Sequence, residues 1–300
     1  MTYSIVARDP DTHALGVAVQ TCNLAVGTWV PWAEAGVGAV ATQAVAERTY
    51  GTLGLDLIAG RKTPQEALEA LLAVDPRREF RQVAIVDRHG RVATHTGKRC
   101  LSHAGGRVGD AFSVQANMMA RDTVWDAMAA AFENASGDFA ERLLAALDAA
   151  EAEGGDIRGR RTAALLIVGP ERATFPLVDL RVDHHPDPLA ELRRLLQLHR
   201  AYTAEYEIPK FVDKGQLEAA HEAVNNIRRW APDEPYLHYL SALHLAGPLN
   251  RREEALSLLR SLVEEQPVWL EYLRRDAAVN HFGQPGVSAS LLEQLRKEKM

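Results

Sequence analysis

The sequence predicts an α+β protein in which helices pack on antiparallel sheets, followed by a region that is helical throughout. Three observations carry that prediction. Short segments of period-2 hydrophobicity open the chain and return near residue 163, whereas helical patterns are grouped between them. That order does not repeat as βαβ, which argues against a doubly wound parallel sheet. Beyond Asp187-Pro188 every segment reads as helix, and part of it recurs at an offset of 35 to 36 residues.

Taken in order, Tyr3 to Ala7 is a strand leading into the turn Asp9-Pro10-Asp11-Thr12, and Leu15, Val17 and Val19 alternate in a second strand, which makes a hairpin. Thr28-Trp29-Val30 and Val37 to Ala41 read as strands around the bend at Pro31. Gln82 to Val86, the turn Asp87-Arg88-His89-Gly90 and Arg91 to Thr94 form another hairpin. Phe112 to Gln115 and Ala163 to Val168 complete the set. The first helical group starts at Thr63-Pro64-Gln65-Glu66, where Thr63 caps, Pro64 suits the first turn and Glu66 closes a capping box. Val124, Trp125, Met128, Ala129 and Phe132 line one face of a second helix, and Asp138 with Glu141 starts a third.

The last third begins at the N-cap and proline Asp187-Pro188. Pro209, within Glu205 to Asp213, marks the expected junction, giving domains over 1–204 and 205–300. Gln216 to Ala220 recurs as Arg252 to Leu256, and Pro232 as Pro267. This region resembles a tetratricopeptide pair, whose period is about 34 residues. Such pairs normally need three or more repeats to stand alone, so the tail is expected to lean on the first domain or on a second copy, making a homo-oligomer.

Composition narrows the function. The balance of 34 Lys+Arg against 40 Asp+Glu gives a net charge of −6, which disfavours nucleic acid and anionic membrane as partners. The chain start lacks a basic n-region and apolar stretch, no apolar run approaches a membrane span, and two cysteines make no disulfide framework. A cytoplasmic protein is expected.

Several motif-like strings carry little. Gly36-Val37-Gly38-Ala39-Val40-Ala41 fits a dinucleotide fingerprint, but Val37 to Ala41 keeps strand character where a helix should begin. Asp183, His184, His185 and Asp187 are ligand types, yet adjacent residues rarely point at one ion, and a polar turn before Pro188 is the plainer reading. Cys100 follows Lys98-Arg99, whose charge favours a thiolate, without a partner histidine at any telling spacing. Neither a G-x-S-x-G elbow nor a P-loop string is present. No cofactor and no metal are expected.

Thr2 is the remaining candidate. Methionine before a small residue is generally removed, which leaves a threonine with its hydroxyl beside a free α-amine. With a pKa of about 7.7–8.0 that amine is partly neutral at pH 7 and accepts the hydroxyl proton. Nucleophile and base then share one residue, provided a rigid strand holds it, as Tyr3 to Ala7 suggests. A threonine after the initiator is also common without any function.

The blocks Thr2 to Pro10, Gly16 to Gln20, Ala25 to Gly27, Pro31 to Ala33, Ala35 to Gln43 and Tyr50-Gly51 resemble the prokaryotic domain-of-unknown-function family 1028. The resemblance continues through Arg81 to Val83, Val114 to Asn117, Gly154 to Gly159, Ala163 to Leu165, Val178 to Asp183 and His185 to Pro188, and covers about residues 2–200. It implies the N-terminal-nucleophile (Ntn) hydrolase fold, a four-layer αββα sandwich, and does not supply a substrate. Arg161-Thr162 stands where the family more often has glutamine-serine.

Within that fold, acyl transfer needs preorganised donors for a developing oxyanion. Gln43 and Asn117 are the expected catalytic partners of Thr2, with Thr42 and Gln115 beside them, although amides at strand ends also cap loose backbone. In the Gly-rich loop 154–159, Arg158 is placed to clamp a substrate carboxylate, with Asp156 binding a substrate amine or holding Arg158; Thr162 follows. An Asp156–Arg158 pair that only shapes the loop fits equally. Two functions stay open: an amidohydrolase acting on a small-molecule or peptide-like amide, and a catalytically silent binding or assembly protein with an Ntn-like scaffold. Nicotinamide chemistry at Gly36 and Gly38 is a distant third.

Overall fold

The computed structural model describes residues 2–282 and 284–297. Among them the chain forms β1 (Thr2–Arg8), β2 (Leu15–Thr21), β3 (Pro31–Glu34), β4 (Gly38–Ala44), α1 (Thr49–Ala59), α2 (Pro64–Val74), β5 (Arg81–Asp87), β6 (Val92–Thr96), β7 (Gly105–Gly109) and β8 (Phe112–Asn117). Then come α3 (Val124–Asn134), α4 (Phe139–Ala152), β9 (Thr162–Val168) and β10 (Val178–Val182). Helices α5 (Pro188–Asp213), α6 (Leu217–Trp230), α7 (Pro235–Ala246), α8 (Arg252–Glu265), α9 (Val268–Val279) and α10 (Val287–Lys297) follow.

The chain divides into two compact units, Met1–Arg193 and Arg194–Met300. In the first, a six-stranded sheet of order β10-β9-β2-β1-β8-β7 faces a four-stranded sheet of order β3-β4-β5-β6, and the pairings are antiparallel. Alternation along each strand sends one set of side chains between the sheets and the other toward helices. Val6, Val17, Val19, Ala39, Ala41 and Ala84 are buried between the sheets. On the outer faces, α1 and α2 pack on the four-stranded sheet, and α3 and α4 on the six-stranded one. The caps follow the sequence: Thr63 accepts from Glu66 N and Glu66 reaches back to Thr63 N, while Asp138 accepts from Glu141 N.

Two local expectations are corrected. Val26 to Thr28 is a 3-10 turn rather than the start of a strand. Val26 and Val30 are both buried, and Val30 N donates to Val26 O at 3.1 Å, so their spacing of four serves a helical turn and not a period of two. Pro209 does not break α5. The helix forgoes the bond to the Glu205 carbonyl that a proline cannot make, and burial of Ile208 with packing of Phe211 carries it on to Asp213. The division between the two units falls inside α5.

In the second unit, consecutive helices from α6 to α10 pack against one another around Leu237, Tyr239, Leu243, Leu256, Leu259 and Leu273. Asp276, 4% exposed, accepts hydrogen bonds from Tyr239 Oη at 2.6 Å, Ser288 Oγ at 2.6 Å and Phe282 N at 2.9 Å. No helix of the described residues is long and apolar enough to cross a membrane.

Candidate functional site

Thr2 is the first residue of β1, a central strand of the six-stranded sheet, and lies opposite Asn117 of β8. Ser4, two residues on and therefore on the same face, lies opposite Gln115. Across the gap, Gln43 of β4 is paired with Gln82 of β5. All six side chains are buried, although four carry amides. Buried amides must find partners, and Gln43, Gln82 and Asn117 find one another; Gln115 Nε2 donates to Ala41 O and Ser4 Oγ, and its Oε1 is left without a partner.

Gln82 is the hub. Its Oε1 accepts from Gln43 Nε2 at 2.8 Å and Asn117 Nδ2 at 2.9 Å, and its Nε2 donates to Ala116 O, Gly105 O and Thr96 Oγ1 at 2.9, 3.0 and 3.1 Å. Gln43 Oε1 accepts from Ser4 Oγ at 2.7 Å, and Gln115 Nε2 reaches Ala41 O at 3.1 Å. Together these bonds tie the two sheets at the end where β1 begins. Gln43 Nε2 and Asn117 Nδ2 both converge on the carbonyl oxygen of Thr2, at 3.1 and 3.4 Å. The two amides therefore hold the backbone of Thr2, whose hydroxyl donates to Thr21 Oγ1 at 3.2 Å.

Thr2, 4% exposed, lies on the wall of a cavity of about 330 Å³, with Thr21 and Gln43 beside it and Val26, Trp29 and Val30 forming an apolar side. The wall made by Ala44 and Ala46 is braced from behind. Arg81, 5% exposed, donates to Val45 O at 2.8 Å and pairs with Asp75 at 2.8 Å. The hydrogen bond from Arg81 holds the Asp75 carboxyl below the usual carboxylate range. Ala44 takes a left-handed backbone, φ 67°, a costly conformation for a residue with a Cβ.

Asn23 forms the rim. Its Oδ1 accepts from Arg158 Nη1 at 3.2 Å, and Arg158 in turn bonds Asp156 through Nε at 3.3 Å and Nη2 at 3.1 Å. Asp156 also accepts from Cys22 N at 3.2 Å, so the pair stitches loop 154–159 to the end of β2. Arg158 reaches the rim and Asp156 stays beneath it.

Three expected substrate-binding residues are placed elsewhere. Gln115 is buried in the lattice, with Nε2 on Ala41 O, and does not line the cavity. Thr42 alternates with Gln43 and so faces the helix side, where its hydroxyl donates to Glu47 O at 3.2 Å. Thr162 lies opposite Thr21 and donates to Asn23 O at 2.8 Å, so it supports the rim through backbone. Sequence reasoning missed Ser4, Thr21 and Gln82. A glutamine opening the apolar run Gln82 to Val86 was the available signal, but its partners belong to other strands. Burial pushes the Cys100 thiol up, opposite to the effect expected of Lys98-Arg99, and Arg99 stacks on Phe80 at 4.1 Å instead. His185 accepts from Asp187 N in the expected turn, and among the described residues no His, Cys, Asp and Glu cluster suits a metal.

A family model described as "Family of unknown function (DUF1028)" matches residues 2–192. The crystal structure of protein SPO2555 from Silicibacter pomeroyi, which carries the same family model, is similar at 35% sequence identity and a TM-score of 0.60, covering 65% of this chain and 88% of that one. No curated protein matches the chain.

Proposed function

Starting from a chain that belongs to the family of unknown function DUF1028, we propose that it is an amidohydrolase of the Ntn type, with Thr2 as nucleophile in an αββα sandwich. The observation that carries this reading is the position of Thr2: first residue of a central strand, backbone held by two amides, side chain at a small cavity. Cleavage of the peptide bond preceding Thr2 would leave an α-amine next to the hydroxyl; at a pKa of about 7.7–8.0 it takes the proton as Oγ1 attacks an amide carbonyl and gives it to the departing amine as the C–N bond breaks, after which water hydrolyses the Thr2 ester and releases the acid. Met1 itself lies outside the described residues.

The bonds to the Thr2 carbonyl make Gln43 and Asn117 positioning residues. Asn23, which lines the cavity with Thr2 and has its Oδ1 engaged by Arg158, is the proposed oxyanion donor through its Nδ2. Arg158 supplies the charge for a substrate carboxylate. A cavity of about 330 Å³ suits a small amide rather than a folded protein.

The second reading, a silent binding or assembly protein, is favoured by one observation: three of the amides near Thr2, Gln43, Gln82 and Asn117, bond one another, as in a structural lattice. In either case α6 to α9 read as a tetratricopeptide-like tail that mediates assembly. Intact mass and an amide library separate the two readings. The hydrolase reading expects a mature chain starting at Thr2 and turnover abolished by Thr2→Ala with the fold retained. Full activity in Thr2→Ala on an established substrate would refute it.

A further inference from the structure

The opposite end of the four-stranded sheet, where β4 begins and β5 ends, holds a second and larger cavity of about 900 Å³. It lies among four connections: the β3–β4 turn, the α1–α2 turn, the β5–β6 hairpin and the segment after β9. Three of these bring arginines to it: Arg61, Arg88 and Arg172. Among the described residues none of the three guanidinium groups has a carboxylate within 4.0 Å. Lys62 and Arg91 also line it, but each is paired, Lys62 with Glu66 at 3.8 Å and Arg91 with Asp87, whose side chain is 1% exposed. The three arginines without a carboxylate partner therefore face the two remaining lining carboxylates, Glu34 and Glu171. A chain of net charge −6 therefore turns locally positive here.

The arginines stand on fixed turns. Asp87 Oδ1 accepts from His89 N and Arg91 N, both at 2.9 Å, and Arg88 N donates to Val37 O at 2.9 Å, which ties the β5–β6 hairpin to the β3–β4 turn. Gly36, φ +73°, packs so closely on the segment after β9 that a Cβ there would lie 3.1 Å from Pro170 O and 3.3 Å from Arg172 N. Arg61 itself takes a left-handed backbone, φ 70°. Arg88 Nε donates to His89 Nε2 at 3.2 Å, but no carboxylate of the described residues matches any of the three guanidinium groups, and such groups arriving from separate turns suit an oxyanion with donors on several sides. A carboxylate offers two coplanar oxygens, which one such fork satisfies; a phosphoryl group offers three.

We propose that this cavity is a binding site for a small phosphate-bearing anion, independent of any chemistry at Thr2. The probe is inorganic pyrophosphate, with a nucleoside diphosphate as a second arm, titrated calorimetrically into the full chain at fixed ionic strength. Saturable binding is expected, weakened about tenfold by each of Arg61→Gln, Arg88→Gln and Arg172→Gln, as loss of a charge-assisted hydrogen bond implies. Arg158→Gln should bind as the parent does. Equal affinity for both probes identifies the phosphate as what is recognised, and tighter binding of the nucleotide adds its base and sugar to the recognised ligand. Circular dichroism and melting temperature check that each variant is folded. Absent binding by the folded parent, binding unchanged in all three folded variants, or binding lost in Arg158→Gln would overturn the proposal.

Discussion

Replacing Gln82 by Met keeps the length of the side chain and removes its amide. In the native structure that amide accepts two hydrogen bonds and donates toward three acceptors, with no exposure to solvent. Gln43 Nε2 retains the Thr2 and Gln115 carbonyls as acceptors, and Asn117 Nδ2 keeps only a long 3.4 Å bond to Thr2 O. At least two buried polar groups, Asn117 Nδ2 and one of the carbonyls released by Gln82, then lose their best partner. At about 1–3 kcal/mol for each orphaned group, the loss is about 2–6 kcal/mol. That is a large part of a total stability of about 5–15 kcal/mol. Thermal unfolding should shift down by about 4 °C or more, since 1 kcal/mol moves a domain of this size by about 2–4 °C. Calorimetry should be joined to amide hydrogen exchange on β1 and β4, because the two units need not unfold together. Faster exchange should be confined to the first unit. A loss below about 1 kcal/mol, well under the cost of one orphaned group, would refute the claim that this lattice holds the sheets together at the Thr2 end.

Arg158→Lys keeps the charge but loses the planar fork. It should raise KM more than it lowers kcat if Arg158 holds a substrate carboxylate, and a lower melting temperature with unchanged KM would assign it to the loop alone. The Asp75 carboxyl, held low chiefly by Arg81, contributes stability that is complete above its unfolded pKa of about 3.9 and is lost as pH falls through the lower folded value. Asp75→Asn should therefore flatten the fall of melting temperature below about pH 4 while lowering it at pH 7, as read from melts across that range. Asp276→Ala leaves Tyr239 Oη and Phe282 N without their acceptor and should cost the second unit about 2–5 kcal/mol, measured as faster proteolysis of α9 and α10 with the first unit unaffected.

Local signals carried much of the architecture. The hairpin of β1 and β2, strands β4, β5, β6, β8 and β9, and the capped helices α2 and α4 all follow from period, turn residues and caps. Helix α1 does not, because Gly51 and Gly54 weaken its pattern. Gly51 is required by packing, since a Cβ there would lie 2.2 Å from the Trp32 ring. Glycine-rich β7 hides its strand in the same way, whereas the alternation Val178, Leu180, Val182 of β10 was readable. At the site, the convergence of Gln43 and Asn117 on Thr2 was legible as amides at strand ends. That they grip its carbonyl while sharing the Gln82 oxygen, and that Thr42 faces away, depends on which strands pair and which sheets face, information that lies at long range in the chain.

The rows of polar residues between the sheets also constrain how β1 can add to its neighbours. A slip of one residue would turn Thr2 and Ser4 toward the helices and drive Tyr3, whose phenol bonds Glu151 at 2.5 Å on that other side, into the gap between the sheets. Apolar packing alone would penalise such a slip by misfitted volume, whereas here it would also strand buried amides without partners, so the lattice adds a polar cost to every register but the observed one at the strand that presents Thr2.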